Sequence, residues 1–125
     1  MKNYYQQKKG GWKLEPVIYA KTVKQIQCYR FFQKMLAEKS YVREDGILQE
    51  AHVTGRQVAE KYVRAVDLGL KRYVPEAYRD AVFAHMVDGK GYAELEETCF
   101  TSSSTLKRYV QAFVWGVAEE LGENF

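Results

Sequence analysis

Ser103, Ser104, Thr105, Lys107, Arg108 and Gln111 fall within a nine-residue span near the end of a 125-residue chain. They combine hydroxyls, one amide and two cations. Hydroxyl and amide side chains hydrogen-bond to phosphate oxygens and to base edges, while lysine and arginine are drawn to a polyanionic backbone. The same stretch carries Leu106, Val110, Phe113, Val117 and Leu121, which form one apolar stripe at the period of a helix. Burying that stripe turns the polar residues outward on the first turns of the helix. The start of a helix also carries partial positive charge that favours phosphate. The chemistry expected at this edge is therefore binding of double-stranded DNA.

The surrounding elements are those needed to present such a helix. Ser102 is a good N-cap, because its hydroxyl can accept from an N–H two or three residues on. The turn Phe100-Thr101-Ser102 joins the long helix to a short one over Tyr92–Thr98, in which Tyr92, Leu95 and Cys99 share a side. Val74-Pro75-Glu76 opens the helix before that, proline fitting the first helical position. Tyr78, Val82 and Met86 follow at a spacing of four, and Asp88-Gly89-Lys90-Gly91 stops it. Residues 74–125 thus read as three helices, the last two a helix-turn-helix. A hairpin built only for packing is the competing reading, but it would not need an outer edge that is polar and basic. The nearest carboxylates are a full helix away, at Glu96 and Glu97 or at Glu119 and Glu120.

Upstream, residues 1–14 are polar, basic and glycine-containing without a helical period, and read as a flexible basic arm. The other expectation is that Tyr4, Tyr5 and Trp12 pack the arm on the first helix. Residues 15–73 form an N-terminal helical segment. Pro16 opens a helix reaching to about Lys39, Arg43-Glu44-Asp45-Gly46 is a loop by composition, and Thr54-Gly55-Arg56-Gln57 fits a capping box that starts a helix to about Arg72. Nothing alternates at the period of a strand. The expected fold is all-α with about five helices. Cys28 and Cys99 fall in apolar stripes, away from any metal-ligand spacing, and read as reduced core thiols.

Charge is uneven. Residues 1–40 hold nine Lys or Arg against two Glu, whereas residues 41–125 hold ten basic against fourteen acidic residues. This places a polyanion at the basic end, or else leaves a solvated basic tail there. Enzyme chemistry has no candidate residues: His52 and His85 stand apart from any carboxylate or cysteine at ligand or triad spacing, and His85 reads as a packing residue. No metal or cofactor is expected. Gly10-Gly11 and Gly89-Lys90-Gly91 lack the preceding strand of a phosphate loop. The acidic run Glu94, Glu96, Glu97 reads as a solvated face, or as a contact for a basic protein patch. No apolar run reaches the about 18 residues of a membrane span, so no membrane partner is expected and the site of action is the cytoplasm.

The stretch Tyr78 to Arg108, YRDAVFAHMVDGKGYAELEETCFTSSSTLKR, resembles region 4 of sigma factors, ungapped over Gly91 to Arg108. Ser103, Ser104 and Lys107 match the positions that reach the groove in that unit. Three positions depart from the pattern: Glu96 replaces a small alanine, Phe100 the turn glycine and Thr101 a buried Ile or Val. Positive φ at a non-glycine residue is strained, so a different local path is expected at Phe100. With the closing Val117-Ala118-Glu119-Glu120-Leu121 and the long preceding helix, about the last seventy residues are similar to small phage transcription activators of the RinA/ArpU type. That resemblance implies a sequence-specific regulator of phage or prophage late genes in the host bacterial cytoplasm. RNA polymerase and a second copy of the chain are the further partners it leaves open. Two other functions compete: a small terminase subunit, which usually carries its helix-turn-helix nearer the N-terminus, and a sigma-like module that binds polymerase alone.

Overall fold

Helix α6, Ser103–Glu120, is the centre of the molecule. The expected stripe is buried along its whole length, with Leu106, Phe113 and Val117 at most 1% exposed. So is much of the opposite side of its second half: Ala112, Val114, Trp115, Gly116 and Ala118 are buried as well. A helix covered this fully over its second half needs neighbours from several parts of the chain. In a computed structural model, which describes residues 5–8, 11–37 and 50–122, those neighbours are β2, α1, α3, α4 and α5.

The elements run in chain order β1 (Tyr5–Lys8), β2 (Gly11–Leu14), α1 (Pro16–Gln27), α2 (Tyr29–Ala37), α3 (Glu50–Tyr73), α4 (Glu76–Met86), α5 (Tyr92–Cys99) and α6. The helical class is as expected, with six helices among the described residues. The two strands form an antiparallel hairpin in which Tyr5 pairs with Leu14 and Lys8 with Gly11. This corrects the reading of residues 1–14 as a flexible arm over the paired residues, because Leu14 is buried in the core and β2 packs on α6. The side chains of Lys2, Lys8, Lys9, Lys13, Tyr4, Tyr5 and Trp12 lie outside the described residues, as do the loop expected at Arg43–Gly46 and the side chain of His52.

The single helix expected from Pro16 to Lys39 is two. Cys28 adopts φ −84 and ψ 2, and its N–H turns back to the Gln25 carbonyl, ending α1; Phe32 N–H then bonds the Cys28 carbonyl to start α2. The break is local, without glycine or proline, and it turns Tyr29 inward, where its hydroxyl donates to Asp67 of α3 at 3.0 Å and its ring meets Phe83 edge-on. Burial, then the Asp67 carboxylate, push the Tyr29 phenol up to about 12. The same break leaves Cys28 exposed. Cys99, in the last turn of α5, is exposed too, so neither is a core thiol. The helix expected to start at Thr54 starts earlier: α3 begins at Glu50, and Thr54 falls inside it.

Two close approaches fix α3 against α6. A Cβ on Gly116 would lie 2.3 Å from the Tyr73 ring, and one on Gly69 would lie 2.9 Å from Val117 Cγ2. Glycine at these helix positions lets the backbones meet where any side chain would clash. At the end of α3, Arg79 reaches back from α4 to the Val74 and Lys71 carbonyls, satisfying acceptors that the helix leaves free. One apolar core runs from Leu14 to Leu121, through both sides of the turn at Val74-Pro75.

Candidate nucleic-acid interface

The amino end of α6 is built by α5 and the turn between them. Ser102 caps it as expected: its Oγ accepts from the Thr105 N–H at 3.2 Å and donates to the Thr105 hydroxyl at 2.8 Å. The turn departs from expectation. Phe100 does not avoid the strained region but occupies it, at φ 54 and ψ 40, with its side chain 93% exposed. A left-handed conformation at a side-chain-bearing residue costs roughly 1–3 kcal/mol, and no core contact of the ring offsets it. Gly89, at φ 74, makes the earlier corner without such strain.

On the edge itself, Ser104, Lys107, Arg108 and Gln111 are exposed, and Leu106 and Val110 between them are buried. These four form the continuous outward face that the helical spacing requires. Ser103 and Thr105 are half-buried, and both are engaged by capping. Thr105 is taken up by Ser102. Ser103 is taken up by Glu96, whose Oε1 accepts from the Ser103 backbone N–H at 2.6 Å. The edge is therefore not free of carboxylates, as the spacing along the chain implies; the fold brings Glu96 back to the start of α6. The backbone hydrogen bond from Ser103, then its side-chain hydrogen bond, hold the Glu96 carboxyl below its usual range; desolvation opposes them, and the charge of Lys107 adds a lesser downward effect. Part of the positive end of α6 is thus already neutralised within the protein.

The two cations are directed by rings. Lys107 places its ammonium 5.3 Å from the centroid of Tyr92, and Arg108 places its guanidinium 5.4 Å from that of Tyr109. Tyr109 stacks on Tyr78 of α4, with centroids 4.7 Å apart, and Tyr92 stacks on His85 at 4.0 Å. His85 is a packing residue as expected. The roles of Tyr92 and Glu96 were not legible from spacing: Tyr92 precedes Lys107 by fifteen residues and Glu96 precedes Ser103 by seven, and only the angle between α5 and α6 brings each pair together.

The arrangement offers amide and hydroxyl donors and two cations on one exposed edge, with acidic Glu94 and Glu97 exposed on α5. Comparison with family models, curated proteins and solved structures finds no match for the chain. No described helix is long and apolar enough to cross a membrane.

Proposed function

We propose that the chain is a sequence-specific regulator of transcription that binds double-stranded DNA through α6, with α5 and α6 acting as a sigma region 4-like helix-turn-helix. The observation that carries this reading is the exposed row Ser104, Lys107, Arg108 and Gln111, set on a helix whose other faces are buried. Such a helix is rigid and projects donors at the spacing of base edges, while its cations neutralise phosphates. In this reading Lys107 and Arg108 meet the backbone or guanine, and Gln111 and Ser104 meet bases. Ser103 and Thr105 serve the cap rather than the groove. The resemblance to phage late-gene activators makes the gene target a phage or prophage late operon.

Selection from a pool of random duplexes tests it. Enrichment of one motif, bound with strong salt dependence, is the expected outcome; recovery of the unselected pool, or of nothing, contradicts it.

A second reading is favoured by one observation. Phe100, exposed and strained at the turn beside Glu96 and Glu97, is an apolar knob with acidic flanks, a form suited to a protein surface rather than to a duplex. Under that reading the unit docks on RNA polymerase or another basic partner without binding a duplex, and the Phe100→Ala variant loses affinity for that partner in a pull-down.

A further inference from the structure

Tyr92 is not one of the polar residues of the exposed edge, yet side chains from two other helices meet on its ring. His85 of α4 stacks against it with planes inclined by 27°. The imidazole is itself held, since a carbonyl can only accept and His85 Nδ1 therefore donates to the Lys90 carbonyl, at 2.7 Å. From α6, Lys107 brings its ammonium to 5.3 Å from the same ring. The face of a tyrosine ring attracts a cation electrostatically. An exposed lysine otherwise spreads over many rotamers and loses that freedom on binding.

We propose that Tyr92 is a positioning residue for nucleic-acid binding, a ring platform that holds the Lys107 ammonium at the outer edge of α6, where a duplex phosphate is met. This rests on the DNA-binding reading of that edge. Lys90–His85–Tyr92–Lys107 then forms a continuous support running from the corner after α4 to the start of α6. Its effect on binding passes through Lys107 alone.

The test uses the full chain and one fixed duplex. Dissociation constants are measured at one salt concentration for the wild type, Y92F, Y92L, K107A and Y92L/K107A, with each variant's melting temperature. Y92F keeps the ring and binds as the wild type does. Y92L binds about two- to fivefold more weakly, the equivalent of a surface cation–π contact, and adds nothing in the K107A background. Equal losses in both backgrounds overturn the proposal, because the tyrosine then acts through the fold rather than through Lys107. If Y92L does not fold, Y92M repeats the cycle with a more adaptable side chain.

A second measurement needs no DNA. The ε-methylene protons of Lys107 are shifted upfield by the ring in the wild type and Y92F, and return to ordinary positions in Y92L. Duplex binding by a wild type whose Lys107 protons are unshifted overturns the role of Tyr92 alone. A wild type that binds no duplex overturns the DNA-binding reading, and the role of Tyr92 with it.

Discussion

The Glu96 carboxylate of α5 accepts a hydrogen bond from the backbone N–H of Ser103, the first residue of α6, at 2.6 Å. One helix thereby caps the next across the turn. The bond satisfies a donor that the start of a helix leaves free, and it fixes the angle at which the exposed edge is presented. It also sets a negative charge beside that edge.

Replacing Glu96 by glutamine therefore has two opposite effects. Duplex affinity rises for every sequence alike, because a charge that repels phosphate is gone. Stability at neutral pH falls. The sign follows from the carboxyl being held below its usual range in the folded chain: the folded state favours the ionised form, so the stabilisation is present at neutral pH and is lost as pH falls through the carboxylate range. Thermal unfolding of the wild type and E96Q against pH checks it, the two curves converging in acid. Coincident curves would show that the bond contributes nothing, and parallel, offset curves that the difference does not come from ionisation of Glu96.

The α3–α6 packing yields the opposite of the usual helix rule. Alanine in place of a helical glycine ordinarily stabilises by about 0.5–1 kcal/mol. At Gly116 the new methyl would meet the Tyr73 ring at 2.3 Å, so Gly116→Ala is expected to destabilise by roughly 1–3 kcal/mol through overpacking. Denaturant titration measures it, and an unchanged midpoint would mean that Tyr73 moves aside freely.

Leu106 is fully buried one residue before Lys107. Truncation to alanine should cost about 2–5 kcal/mol. A loss under about 1 kcal/mol in chemical unfolding, well below that range, would contradict the register on which the exposed edge depends.

Phe100 allows a gain. Its ring makes no core contact and its backbone is left-handed, so Phe100→Gly relieves strain at a conformation glycine adopts freely. About 1 kcal/mol of stabilisation is expected, part of the relief being offset by the greater freedom of glycine in the unfolded chain. A lower melting temperature would indicate that the ring supports the turn.

How much of this was legible in the sequence depends on whether the cause is local. The stripe Leu106, Val110, Phe113, Val117, Leu121 and the Ser102 cap follow from spacing and side-chain chemistry within a few residues, and both are present. The break at Cys28 carries no proline or glycine; it is favoured by what lies far away, the Asp67 and Phe83 that receive Tyr29. Thr54 has capping chemistry, yet helix formation simply continues through it from Glu50. The hairpin was signalled weakly, by Gly10-Gly11 between two short polar-aromatic runs, and its Leu14 matters because it joins the core around α6. On the candidate edge, exposure of Ser104, Lys107, Arg108 and Gln111 was legible from the period. The engagement of Ser103 by Glu96 and of Lys107 by Tyr92 was not, since each joins two helices through their crossing angle.

Whether α6 is the DNA-binding helix is decided by the affinity of the wild type and of K107A/R108A for one selected duplex over a range of salt concentrations. Both cations are exposed, and each gives up one surface cation–π contact, so their removal should lower stability by no more than about 1–2 kcal/mol. The double variant should bind more weakly, with a log–log salt dependence flatter by about 0.9 for each phosphate no longer neutralised. Equal affinity and parallel salt lines for the two proteins would contradict the assignment of α6 as the DNA-binding helix.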